Sequence, residues 1–168
     1  VGEQGLTEPG STFKLASLIA LLEDSDVQLT DSIDTGKGSY LFYDKRMRDH
    51  KKGGYGMLSV AETFSKSSNI GVSRLINDHF GLKPDRFIDY LDQMGLTEPL
   101  RFQMKGTGAP YIKNPNDQSW SGVTLPWMSI GYELKLTPLH TLTLYNAIAN
   151  QGTMVKPMIV KRISKAGV

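Results

Sequence analysis

The 168-residue chain has no cysteine. That excludes a disulfide framework, a thiolate metal site and a thiol nucleophile. It also lacks any apolar run approaching the length of a membrane span, and any charged-then-apolar leader. The first residue is Val1, so the sequence reads as a mature chain or an excised piece, and the missing leader carries no weight. Neither sign of charge is in excess: 19 basic and 17 acidic residues leave a formal net charge of +2. With no basic stripe interleaved with aromatics, nucleic acid is not an expected partner. Lys45, Arg46, Arg48, Lys51 and Lys52 do cluster, but Asp44, Asp49 and nearby tyrosines interrupt them. A solvated hairpin or loop is the expectation there. His50, His79 and His140 are scattered without helical ligand spacing, so neither a metal nor a cofactor is expected.

What remains is 39% hydrophobic and 21% charged, the balance of a globular domain. After Pro9-Gly10 comes "STFKLASLIALLED". Leu15, Leu18, Ile19 and Leu22 follow an i, i+3, i+4, i+7 pattern, which predicts a largely buried helix over about 11–24. Turn formers fill 30–58, with one or two short strands expected in "SYLFYDKRMRD". Ser59 and Glu62 form a capping-box pattern that opens a helical cluster over about 59–95, interrupted at "SKSSN" and closed at Gly95. Residues 96–136 show no sustained period and are expected to form a long functional loop. That stretch holds Trp120, Trp127 and Tyr132, which would line a cleft or pack in the core. Thr137-Pro138 starts a helix over about 138–150. "TMVKPMIVKRISKAGV" reads as a strand with a polar tail.

The chemistry concentrates in two places. Ser11 and Lys14 stand three residues apart at the predicted helix start, a spacing that puts both on one face and lets their side chains meet. A lysine takes a serine's proton only when it is itself neutral. Burial achieves this by penalising the ammonium. A helix N-terminus also favours the alkoxide that develops. The Ser-x-x-Lys spacing alone is weak evidence, because chance supplies it about once in every few hundred positions. The second place is "SKSSN". Ser67 and Asn69 flank Ser68 at a helix break, where alternate side chains can face one cleft. A hydroxyl there could relay a proton, and an amide could grip a carbonyl or the lysine. Equally, Ser67–Asn69 could simply stop one helix and cap the next, with Asn69 a good cap. Asp49 and His50 suggest a triad with Ser11, discounted because Lys14 already stands one turn away as a base. Glu133 has no carboxylate partner suggesting acid–base work.

Taken together, "EPGSTFKL", "DTGKGSY…MRDH", "SSNIGVSRL" and "SIGYELKLTPLHTLTLYNAIANQGTMVKP" resemble, in order and spacing, a penicillin-binding protein transpeptidase domain. The likeness is closest to the class B enzymes of cell division and elongation. It covers nearly the whole chain. It implies an α+β fold, mostly helical here: a partial transpeptidase fold of the penicillin-binding-protein and serine β-lactamase type, spanning 1–168, with an incomplete central sheet. It implies Ser11 as the acylated nucleophile, Lys14 as general base, Ser67 as proton shuttle and Asn69 as a holder of substrate and lysine. The Ser11 N–H would supply half of an oxyanion hole. The expected reaction is acyl transfer from D-alanyl-D-alanine stem peptides, with β-lactams as blocking mimics and cell-wall synthesis machinery as partners. The expected setting is the cell envelope, at the extracytoplasmic (periplasmic) face of the inner membrane.

The family's Lys-Thr-Gly triplet is absent; "DTGK" and "KGTG" are permuted. Truncation before that strand is the expectation, with weak or no activity in this chain alone and possible self-association through exposed sheet-facing surface. The alternatives are a β-lactamase, a D,D-carboxypeptidase or a β-lactam sensor of the same superfamily, or a non-catalytic interaction module. Asn69 argues against the β-lactamase class that shares "STFK", whose second motif resembles Ser-x-Val, and no residue that would position deacylating water is apparent.

Overall fold

A computed structural model describes residues 5–100, 103, 108–158, 160–162 and 164. The fold is α+β. A short 3-10 turn, Gly10–Phe13, leads into α1 (Lys14–Asp24). Then follow β1 (Ser32–Asp34), β2 (Ser39–Phe42), β3 (Lys45–Arg48), β4 (Met57–Ser59), α2 (Val60–Ser65), α3 (Asn69–Phe80) and α4 (Pro84–Gln93). Last come β5 (Tyr111–Ile112), α5 (Thr124–Met128), β6 (Leu134–Lys135) and α6 (Pro138–Ala149).

Helix α3 is the hub, packing on α1, α2, α4 and α5. Helix α1 can lie close against it because Ala16, Ser17 and Ala20 are small and fully buried. Leu18 and Leu21 of α1, Ile70, Val72, Ile76 and Phe80 of α3, and Phe87 and Leu91 of α4 form one apolar core. At roughly 1.5–3 kcal/mol for each large apolar side chain buried, this core is the main term holding the helices together. Buried hydroxyls add direction to it. Ser17 Oγ donates to Ser129 O at 2.7 Å, and Ser73 Oγ donates to Pro126 O at 2.8 Å, tying α1 and α3 to α5. Gly71 of α3 is needed where α2 approaches, since a Cβ there would stand 2.6 Å from Thr63 Cγ2.

Among the described residues the strands form three separate two-stranded antiparallel sheets: β1 with β4, β2 with β3, and β5 with β6. The β2–β3 hairpin pairs Ser39 with Arg48 and Phe42 with Lys45, which puts the basic residues Lys45, Arg46 and Arg48 in solvent. Its inward residues, Phe42 and Met47, are buried, and Phe42 meets Trp127 edge-on with ring centroids 6.2 Å apart. The capping box at the head of α2 is complete: Glu62 N–H donates to Ser59 Oγ, and Ser59 N–H to Glu62 Oε2.

Two sequence expectations are corrected. Residues 96–136 are not without regular structure, because β5, α5 and β6 lie inside them. Helix α5 is a single turn containing Pro126, too short to show a helical period. The terminal stretch after Gly152 forms no strand among its described residues. It has the composition of a strand but pairs with no strand among the described residues. The backbone of Val160 is met instead by the Gln103 side chain, with Val160 N–H donating to Gln103 Oε1 at 2.7 Å and Gln103 Nε2 donating to Val160 O at 3.1 Å. Beside it, Leu142, Tyr145 and Ile148 of α6 are exposed, while Leu144 and Ala147 on its other side are buried.

Candidate active site

The site is assembled from two turns that lie more than fifty positions apart in sequence. The first carries Ser11. The sequence spacing predicts Ser11 on the helix itself, whereas the structure places it in the 3-10 turn just before α1. Gly10 adopts φ +56°, and its N–H donates to Gly131 O at 3.1 Å. Gly131 has φ +85°, and a Cβ there would stand 2.2 Å from Gly10 O, so only glycine permits this crossing. Thr12 Oγ1 donates to Pro9 O, and Tyr145 Oη donates to Thr12 O, which pins the turn from both sides. Ser11 itself is exposed.

Lys14, one turn on, is buried with 1% of its surface exposed. Its ammonium does not bond the Ser11 side chain in this structure. Its three hydrogen bonds run instead to Ser67 O at 2.7 Å, Ser67 Oγ at 2.9 Å and Asn69 Oδ1 at 2.7 Å. Burial lowers its pKa from 10.5 to about 8, and the nearby Asp49 carboxylate acts in the opposite direction. A lysine with a pKa of about 8 is neutral in roughly one molecule in ten at pH 7, against about one in three thousand for an ordinary lysine. Burial therefore shifts Lys14 toward its neutral form.

The second turn explains how Ser67 and Asn69 reach the lysine. Helix α2 ends in a Schellman motif. Ser67 N–H donates to Phe64 O at 2.9 Å, and Ser68 N–H to Thr63 O at 2.8 Å. The motif requires a left-handed residue, usually glycine, and here Ser67 takes it with φ +52°. A serine in that conformation costs roughly 1–2 kcal/mol. It presents both its carbonyl and its hydroxyl to Lys14. Ser68 then caps α3, its Oγ accepting from Gly71 N–H at 2.9 Å. Asn69 is not the cap. It is the first helical residue, and its amide bridges Lys14 to the β3 strand, with Nδ2 donating to Arg48 O at 3.0 Å. That second bond fixes which amide atom faces the lysine.

The place of Asp49 in this site was not foreseen from the sequence, which suggested it only as a triad member. Rather than serving a triad, the buried Asp49 carboxylate accepts from Ser68 Oγ at 2.8 Å and from Ile70 N–H at 3.1 Å. His50 lies 3.1 Å from Tyr55 Oη, His79 pairs with Asp24, and His140 sits between Thr137 Oγ1 and Glu98 O. Glu133 pairs with Lys113 at 2.5 Å and adopts φ +60° close to the Gly10–Gly131 crossing. Trp120 and Trp127 pack against the core, while Tyr132 is exposed.

A nucleophile candidate on a pinned turn, beside a buried lysine held by a Ser-x-Asn turn, marks a class of serine acyl-transfer proteins. The chain belongs to the penicillin-binding protein transpeptidase family: residues 4–166 match the family described as "Penicillin binding protein transpeptidase domain". It is 32% identical over 154 residues to penicillin-binding protein PbpB of Mycobacterium tuberculosis, covering 92% of this chain and 22% of that protein. It is 26% identical to peptidoglycan D,D-transpeptidase FtsI of Escherichia coli K12, covering 93% of this chain and 25% of that one. Among solved structures, penicillin-binding protein 3 of Mycobacterium tuberculosis complexed with aztreonam superposes with a TM-score of 0.79 at 28% identity, over 93% of this chain and 34% of that one. The chain thus spans about a quarter of the length of these curated relatives. Among the described residues no helix is long and apolar enough to cross a membrane.

Proposed function

We propose that this chain is part of the catalytic domain of a class B peptidoglycan D,D-transpeptidase. The observation that carries the reading is Lys14: a buried amine whose hydrogen bonds all end on Ser67 and Asn69. An ammonium donates three such bonds, but a neutral amine donates two and offers a lone pair. Of the three partners, only the Ser67 hydroxyl can turn its hydrogen toward that lone pair, because the Ser67 carbonyl and Asn69 Oδ1 only accept. Ser67 is thereby the one partner able to pass a proton to or from Lys14.

In the proposed reaction, Ser11 Oγ attacks the carbonyl carbon of the D-alanyl-D-alanine peptide bond while its proton passes to neutral Lys14. The C–N bond then breaks, and the proton travels through Ser67 to the departing D-alanine amine. An acceptor amine of a second stem peptide attacks the resulting ester. It yields its proton to Lys14, and Ser11 leaves with a proton restored. Asn69 holds the lysine in place and offers its amide edge to the stem-peptide backbone. The Ser11 N–H is half of the oxyanion hole. β-Lactams, which mimic the dipeptide, acylate the same Ser11. Support for that class of ligand comes from the aztreonam complex of the related penicillin-binding protein 3.

A longer polypeptide is proposed to supply the Lys-Thr-Gly strand, whose cation would bind the substrate carboxylate, together with the second oxyanion donor. It would act at the periplasmic face of the inner membrane with other cell-wall synthesis proteins. Until that strand arrives, the exposed face of α6 is available for self-association. Labelling with a fluorescent penicillin tests the reading. A longer version that includes the triplet is expected to be acylated at Ser11, and Ser11→Ala is expected to remove all label. Stoichiometric labelling of the 168-residue chain would contradict the need for the additional strand. Labelling that survives Ser11→Ala would contradict the assignment of the nucleophile.

A further inference from the structure

The three acceptors around Lys14 are useful only if the turn that carries them keeps its shape. Ser67 sits in a left-handed conformation that a serine resists, and Asn69 is on the first turn of a helix whose end frays readily. Something must over-determine this turn. Helix α2 contributes the Schellman bonds on one side. On the other side stands Asp49, at the end of the β2–β3 hairpin. Its own N–H donates to Gly38 O at 3.2 Å, so the backbone that bears the carboxylate is anchored to the neighbouring loop. One oxygen accepts from Ser68 Oγ and the other from Ile70 N–H. These two donors straddle Asn69. The carbonyl of the preceding residue, Arg48, accepts from the Asn69 amide. Three consecutive residues of α3's head are therefore gripped by two consecutive residues of the hairpin.

We propose that Asp49 is a positioning residue for the Lys14 centre: by gripping Ser68 and Ile70 it holds Ser67 and Asn69 where they receive the lysine's hydrogen bonds. Asp49 is buried and has a donor on each of its two oxygens. Its charge counters the burial that pushes protons off Lys14. The other charged groups nearby are engaged or solvated. Lys66 pairs with Glu62 at 2.7 Å, Arg48 is exposed, His50 bonds Tyr55, and Arg74 donates to Asp34 O.

This role takes its purpose from the transpeptidase reading, but its test needs no substrate. The chain is uniformly labelled with 15N and 13C, and Lys14 is titrated by NMR in the wild type and in Asp49→Asn. The substitution keeps the shape and removes the charge. The Lys14 pKa is expected to fall, since the Asp49 charge acts to raise it. Amide exchange at Ile70 is expected to quicken several-fold, and the Asn69 side-chain amide resonances to move. Asp49→Glu, which restores the charge, is expected to recover the pKa at least in part. Ser68→Ala keeps the carboxylate but cuts one grip. It is expected to quicken exchange at Ile70 and move the Asn69 resonances while lowering the Lys14 pKa less than Asp49→Asn does. Unmoved Asn69 side-chain resonances and unchanged Ile70 exchange in folded Asp49→Asn overturn the proposal. If that variant does not fold, unchanged Asn69 resonances in Ser68→Ala overturn it. Penicillin labelling is read separately, so a failed acylation counts against the proposed function and not against Asp49.

Discussion

The Lys14 centre and the outer face of α6 are built on opposite terms. Around Lys14, buried polar groups are matched: the amine has three acceptors, Asp49 has two donors, and the Asn69 amide is bonded at both ends. On α6, Leu142 and Ile148 stand 62% and 49% exposed with no cover among the described residues. A half-satisfied buried polar network is worse than an apolar core, so the first region is held to one geometry. An uncovered apolar face tolerates change. The contrast is one of constraint: the first region is fixed by matched polar groups, and the second leaves apolar side chains in solvent.

The sharpest break comes from Lys14→Ala. Removing the base is expected to slow Ser11 acylation by roughly 100- to 10,000-fold in the longer protein, measured with a fluorescent penicillin. The next effect is on pH. Acylation is expected to rise as Lys14 loses its proton, reaching half its plateau near the lysine's pKa of about 8. At pH 7 the rate would be about a tenth of that plateau. The same lowering predicts a stability trend. Between about pH 8 and 10.5 the unfolded chain still holds a proton that folded Lys14 has released, so stability rises with pH across that window. Denaturant titrations at pH 7.5 and 9.5 would show it.

A smaller effect separates strain from chemistry at Ser67. Both Ser67→Gly and Ser67→Ala delete the hydroxyl and are expected to impair acylation. Glycine suits the left-handed turn and alanine does not, so the glycine variant should be more stable by about 1 kcal/mol in urea unfolding. Equal stabilities would show that the turn is not strained. The smallest effect belongs to α6. Leu142→Lys and Ile148→Lys are expected to change stability by no more than about 0.5 kcal/mol. They should nonetheless weaken concentration-dependent association in sedimentation. A large loss of stability would mean that this face is not free.

The same contrast shows what was legible in the sequence. The capping box at Ser59 and Glu62 was readable because its two bonds are local and carried by four adjacent residues. The Ser-x-x-Lys and Ser-x-Asn elements were readable as residue types, and the grip of Asn69 on Lys14 followed from the resemblance; that Lys14 makes no bond to the Ser11 side chain did not. Lys14 was expected to face Ser11 and bonds Ser67 and Asn69 instead, a choice made by the packing of α1 on α3. Nothing in "SKSSN" announces that Ser67 is left-handed, since that position usually asks for glycine. Asp49 drew notice only as a discounted triad member; its actual partners were not legible because they lie 19 and 21 positions away. Helix α5 was hidden by its length. The terminal stretch misled through composition, which cannot report whether a pairing edge is present.

The most direct test is the titration of Lys14 itself, which needs neither substrate nor the additional strand. The account predicts an amine that titrates near pH 8 in the folded chain, with the Asn69 side-chain amide resonances shifting in the same transition. A lysine that titrates near its ordinary 10.5, leaving Asn69 undisturbed, would contradict it.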